Sequence, residues 1–187
     1  MGRWEPDAAG RLREAAMALY AERGYDGTTV AEIADRAGVT ARTFFRHFAD
    51  KREVLFAGSE LLGQDMAAAL AAAPADASPM EAVTAAVLAS AEFFDDLRRD
   101  YSRRRAAVIA STPELREREL IKMASMTTSL TDGLLARGVD PDVAALAAET
   151  GVAVFRVSFE RWIAAPDDVP IADVIRSTLK TLSALTA

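Results

Sequence analysis

Apolar residues recur at helical spacing along almost the whole of this chain. Leu12, Ala15, Ala16, Leu19 and Tyr20 make a first stripe that stops at Gly24, with Arg23 in the last turn. Val30, Ile33, Ala34 and Ala37 make a second, short stripe, and Phe44 with Phe48 a third. Val54, Leu55, Leu61, Leu62, Met66 and Leu70 predict a long helix from Lys51 to about Ala73. Pro74 and the small polar run to Pro79 end it, and Ser78, Pro79 and Glu81 open the next helix, which closes in an amphipathic segment with Phe93, Phe94 and Leu97. Thr112-Pro113-Glu114 opens a helix running to about Arg137. Asp140-Pro141 opens another, carrying Val152, Val154, Phe155, Val157, Phe159, Trp162 and Ile163 and finishing before Pro166. A final helix covers about 171–185. No alternating strand pattern competes, so the chain is predicted to be all-α with about nine helices.

The two short stripes at 29–48 form a helix-turn-helix pattern. Thr29 is an N-cap residue with Glu32 three positions later, the spacing of a capping box. Gly38 ends the first short helix, because glycine takes the left-handed turn without a Cβ clash, and Val39 is apolar enough to plug the angle. Thr40 caps a second helix over Ala41 to about Phe48. On a wheel at about 100° per residue, Phe44 and Phe48 face one side and Arg42 and Arg46 the other, with Thr43, Phe45 and His47 on the flanks. Two guanidinium groups on a short helix are ordinarily a solvated face. Here they also suit the paired acceptors of guanine and phosphate oxygens. Lys51 and Arg52, expected at the start of the next helix, are poorly placed for its dipole and well placed to meet a DNA backbone. The helix before this pair is expected to brace it, making a three-helix head.

These residues resemble the signature of TetR-type transcriptional regulators: Thr29, then Ala37-Gly38-Val39, then Thr43, Phe44, Phe45, Arg46, His47, Phe48 and Lys51. The resemblance covers roughly the first third of the chain. It implies a base-contacting group of Ala41, Arg42, Thr43, Phe45 and Arg46, and a phosphate-contacting group of Thr29, Thr40, His47 and Lys51. Phe45 stands where the family usually has tyrosine, so a phosphate-bonding hydroxyl is absent, although the ring can still pack on a sugar or a thymine methyl. The implied domain division is a helix-turn-helix DNA-binding domain at 1–50 and a ligand-binding and dimerisation domain at 51–187.

Charge at first argues against a DNA binder: 22 Lys and Arg oppose 28 Asp and Glu, a formal net charge of −6. Nine residues of each sign lie at or before Leu55, which leaves 13 basic and 19 acidic residues beyond it. The head is neutral with its cations gathered at the second short helix, and the acidic excess belongs to the remainder, where it would repel DNA and help fix the docking orientation. Arg98, Arg99, Arg103, Arg104 and Arg105 form a second basic group, interleaved with Asp95, Asp96 and Asp100, and read as a solvated, salt-bridged bend. The chain has no cysteine, which excludes disulfides and zinc-thiolate sites. MGRWEPDAAG lacks the apolar core of a leader, and the apolar stretch from Val143 to Ala165 is interrupted by Glu149, Arg156, Glu160 and Arg161. A soluble, cytoplasmic protein without a membrane span is expected. His47 is the only histidine, beside Arg46 and Phe48, so neither a catalytic base nor a Glu-x-x-His metal pair is written here. No catalytic residue, metal or cofactor is expected.

The last two long helices are apolar around more of their circumference than a lone surface hairpin needs. Burial within one subunit would explain that. The resemblance implies instead a homodimer through these helices, whose two heads read a palindromic double-stranded DNA operator. It also implies a cavity in which a small apolar or amphipathic effector selects a conformation released from the operator, as in a repressor. Met66, Phe94, Tyr101, Met123, Met126, Phe155 and Phe159 are candidates to line it, because methionine and aromatic side chains adapt to apolar ligands. For each of them ordinary core packing is the competing account. The alternative for the whole protein is a homodimeric small-molecule-binding or interaction module that has lost DNA binding.

Overall fold

The computed structural model describes residues 7–94 and 96–186, apart from the side chains of 96–98 and 186. Among these residues there are helices and turns but no strands: α1 (Ala8–Arg23), α2 (Val30–Arg36), α3 (Ala41–His47), α4 (Ser59–Ala72), α5 (Pro79–Ala89), a 3-10 turn (Ser90–Phe93), α6 (Asp96–Ser111), α7 (Pro113–Ala136), α8 (Pro141–Ala164) and α9 (Ile171–Thr186). No described helix is long and apolar enough to cross a membrane. The chain divides into two compact units, Met1–Ala57 with Arg103–Glu119, and Gly58–Ser102 with Leu120–Ala187.

In the first unit α1 packs on α2 and α3. Leu12, Met17, Ile33 and Phe44 are fully buried, so the three predicted stripes meet in one small core. The long helix expected from Lys51 does not begin there. Residues 51–58 are turns, with i to i+3 bonds from the Leu55 N–H to Arg52 O (3.0 Å) and from the Phe56 N–H to Glu53 O (3.2 Å). The helix starts only at Ser59, after Gly58 at φ 92°, a conformation outside the helical region. The Leu55 carbonyl instead accepts Nε of Arg105 at 2.6 Å, while that guanidinium lies over the Phe56 ring and reaches Glu119. Arg118 donates to Glu53 at 2.7 Å. Arg105, expected in a solvated bend, is thus half-buried on a continuous α6 and holds the 51–57 turns.

In the second unit α5 packs on α4, α8 and α9, and α9 packs on α8. Met66, Leu70, Val83, Val87, Leu130, Leu134, Phe155, Trp162 and Ile175 are in its core. Gly151 lets α5 and α8 approach closely: a Cβ there would stand 2.3 Å from Cγ1 of Val83. Arg99 departs furthest from its expected place. It is 2% exposed, donates to the carbonyls of Pro166 and Val169, and stacks on Trp162 at 4.7 Å. It secures the α8–α9 connection from inside, and the expected solvated bend is helix. Asp95 and the side chains of Asp96, Leu97 and Arg98 lie outside the described residues.

The last two helices differ from each other. α8 buries one face and also exposes Val143 and Leu146. α9 turns Ile171, Val174 and Ile175 inward and shows Asp173, Arg176, Ser177 and Lys180 outward, so its outer face is polar rather than apolar all round.

Candidate nucleic-acid interface

Local rules set the geometry of the two short helices. Thr29 caps α2, with Glu32 bonded back to the Thr29 N–H at 2.9 Å, and both halves of the capping box are present. The Thr29 hydroxyl donates to the same carboxylate at 2.8 Å. At the turn, Gly38 has φ 68°, its N–H bonds Asp35 O at 3.0 Å, and the Val39 N–H bonds Ala34 O at 2.9 Å. Thr40 then caps α3 through the Thr43 N–H at 3.2 Å, and the Thr40 and Thr43 hydroxyls share a 3.1 Å hydrogen bond. Phe44, fully buried, and Phe48, 8% exposed, anchor α3 and fix which face is turned out.

That outer face carries Ala41, Arg42, Phe45, Arg46 and His47, all exposed. Phe45 is 58% exposed and its ring meets that of Phe44 edge-on at 5.5 Å, which leaves much of a large apolar ring open to a partner. The cations of the unit fall into two classes. Arg36 makes a two-pronged pair with Glu22 at 2.6 Å, Arg23 pairs with Glu32 at 2.8 Å, and Arg52 with Asp50 at 2.6 Å. These contacts hold the Glu22 and Asp50 carboxyls below their ordinary ranges, through hydrogen bonds from Arg36 and Arg52 first of all. Among the described residues no hydrogen bond or ion pair engages Arg42 or Arg46. Two exposed cations one turn apart on the same helix are suited to bidentate acceptors.

Lys51 belongs to neither class. Its ammonium donates to the carbonyls of Tyr25 (2.8 Å) and Thr28 (3.0 Å) and sits 4.1 Å from the Tyr25 ring, while its own carbonyl accepts the Tyr20 hydroxyl at 2.7 Å. Lys51 is a brace for the α1–α2 connection. Tyr25 beneath it is buried, and burial pushes its phenol up to about 12. Thr29 and Thr40 likewise spend their oxygens on caps, so the expected phosphate-contacting group is mostly engaged within the fold.

The expected effector-lining residues divide similarly. Phe94 stands 6.1 Å from Phe155 and 5.3 Å from Phe159, and Met66 and Met126 are buried in the same core, with Met123 packed at its edge. Tyr101 lies half-buried on α6. Trp162, which was not on that expected set, completes the aromatic cluster at 5.7 Å from Phe94. Its spacing on α8 after Phe155 and Phe159 was a sufficient signal. Among the described residues no group of acidic and histidine side chains is arranged to hold a metal.

Residues 12–57 match the model of bacterial regulatory proteins of the tetR family, and residues 77–187 match the MftR C-terminal domain. The chain belongs to the TetR family. Its curated relatives match over part of the chain. The transcriptional regulator TcmR of Streptomyces glaucescens is 41% identical over 75 residues, which are 40% of this chain and 33% of that protein. The transcriptional repressor KstR2 of Mycobacterium tuberculosis H37Rv is 48% identical over 46 residues, 25% of this chain and 23% of that protein. The chain therefore spans a third or less of the length of these two relatives. A transcriptional regulator from Pseudomonas aeruginosa PAO1 has the same fold, with a TM-score of 0.65 at 22% identity over 98% of this chain and 92% of that one. FadR of Bacillus subtilis, solved with stearoyl-CoA, aligns with a TM-score of 0.57 at 20% identity over 92% and 96%. TetR proteins are transcriptional regulators rather than enzymes, and the helix-turn-helix lies where the tetR-family model matches.

Proposed function

We propose that this TetR protein is a ligand-controlled, sequence-specific DNA-binding regulator. Residues 1–50 serve as the reading head, and 51–187 bind an effector and dimerise. The observation that carries the reading is the contrast on the head: Arg23, Arg36 and Arg52 are paired internally, while Arg42 and Arg46 stand exposed and unpaired on α3. An α-helix fits the major groove, where arginine reads guanine O6 and N7. A homodimer through α8 and α9 carries two such helices to a palindrome. Repression is favoured because KstR2, to which this chain is 48% identical over 46 residues, is a repressor. An apolar or amphipathic effector is favoured by the aromatic and methionine cluster of the second unit, and a protein of this fold was solved with stearoyl-CoA. Such an effector acts by binding the DNA-competent and released conformations with different affinity.

Selection of bound duplexes from a random DNA pool by the purified protein, with its mass in solution recorded alongside, tests this. A palindromic site recovered by a dimer is the expected result. A stable dimer that enriches no duplex would favour an interaction module that has lost DNA binding, a reading for which only Phe45 in place of tyrosine speaks.

A further inference from the structure

The inward face of α8 carries Phe155, Ser158, Phe159 and Trp162 at positions i, i+3, i+4 and i+7, so the four side chains lie along one stripe. Phe94 leans on this stripe from the end of the 3-10 turn. Among the described residues two neutral donors in this cluster have no partner in the protein, beside the buried Arg99 guanidinium that stacks on Trp162. They are the Ser158 hydroxyl, on a residue 0% exposed, and the Trp162 indole N–H, on a residue 1% exposed.

An unpaired buried donor bears its full desolvation penalty, so native interiors rarely keep one. Ser158 had an easy remedy. Helical hydroxyls elsewhere in the chain fold back to the carbonyl four residues earlier: Ser125 to Ile121 at 3.0 Å, Thr128 to Ala124 at 3.1 Å, Thr150 to Leu146 at 2.7 Å and Thr178 to Val174 at 2.9 Å. Ser158 makes no such bond. Trp162 is also primed as a donor. The Arg99 guanidinium over its ring, held there by the Pro166 and Val169 carbonyls, draws electron density from the indole and strengthens the N–H.

We propose that Ser158 Oγ–H and Trp162 Nε1–H are the polar anchor of the effector site, and that the effector is an apolar molecule bearing a carbonyl oxygen. A carbonyl oxygen has two lone pairs and can accept from both donors. Phe94, Phe155 and Phe159 supply faces for the apolar body, as in ligand pockets that combine aromatic walls with a few placed polar groups. The inference rests on the ligand-controlled reading and names the chemistry of that ligand.

The test uses the full chain and two probes of similar shape: prodan, a fluorescent naphthalene ketone whose emission responds to hydrogen bonding at its carbonyl, and ethylnaphthalene, a hydrocarbon competitor. Saturable prodan binding is expected, weakened about tenfold by Ser158→Ala and about tenfold by Trp162→Phe, each removing one hydrogen bond. Competition by ethylnaphthalene should change less than twofold in Ser158→Ala. Absence of saturable prodan binding, or equal losses for both probes, would overturn the proposal. In ligand-free protein Ser158→Ala should melt at or above the wild-type temperature, since it deletes an unpaired buried hydroxyl. A clear fall in its Tm would reveal an internal partner and also overturn it. Selective ketone binding that left the operator occupied would keep the anchor and defeat ligand control. Operator release by both probes with no discrimination would do the reverse.

Discussion

Arg42 and Arg46 owe their availability to what their neighbours do. Every helix of the head carries acidic residues or sits beside them, yet Glu22, Glu32 and Asp50 are already taken by Arg36, Arg23 and Arg52. Arg42→Ala or Arg46→Ala should therefore cost about 1–3 kcal/mol of operator affinity and relax preference at one base pair. Arg36→Ala should cost much less, because its guanidinium is engaged by Glu22. Fluorescence anisotropy on matched and single-mismatch duplexes separates the two outcomes. Glu32 supports a pH prediction. Its carboxyl is held below the ordinary 4.5, first by the Thr29 N–H and then by the Thr29 hydroxyl. A depressed carboxylate stabilises fully above its unfolded pKa and loses that contribution as pH falls through the folded value. Melts of wild type and Glu32→Ala should thus differ at neutral pH and converge on acidification, and a gap surviving full protonation would assign the loss to packing instead. The outward arginines were legible because two phenylalanines four apart fix the wheel. Lys51 and Arg99 were not. A long side chain can bury its stem and carry its charge to a carbonyl far away in sequence, and local pattern does not encode that partner.

At the scale of elements, caps and glycines decide where helices start, stop and touch. The capping boxes at Thr29 and Ser78 were readable from three-residue spacing, and both form. The 51–58 turns were not readable, because Val54, Leu55, Leu61 and Leu62 keep a helical rhythm across them. What breaks the helix is the Leu55 carbonyl bonding Arg105, fifty positions on, together with Gly58 in a left-handed conformation. The same holds for the α5–α8 contact, where Gly151 is a packing requirement that no local pattern announces. Gly151→Ala would place a methyl against Val83, a β-branched residue with little rotamer freedom in a helix. We expect a loss of about 1–3 kcal/mol from this overpacking, despite alanine's better helix propensity. Urea denaturation of the two proteins measures it, and an unchanged or raised midpoint would show that α5 and α8 separate freely.

For the whole molecule the proposed function requires two heads. The outer side of α8 offers Val143, 47% exposed, and Leu146, 71% exposed, while the outer face of α9 is polar. If a second copy covers α8, Leu146→Arg buries a guanidinium in an apolar contact and should shift the protein to a monomer. That monomer keeps an intact α3, so it retains one set of base and phosphate contacts. It loses the effective concentration that joins the second half-site to the first. Operator affinity should therefore fall by about 10²–10⁴-fold, and the slope of log affinity against log salt should drop to about half, since half the phosphates are neutralised. Arg42→Ala differs in kind, because it changes base preference and leaves the mass at that of a dimer. The two variants together separate failure to read from failure to assemble. A Leu146→Arg protein that stayed dimeric with full affinity would move the interface away from this face of α8. The polar surface of α9 would then have to supply the contact, and charge reversals at Arg176 and Lys180 would be the substitutions that dissociate it.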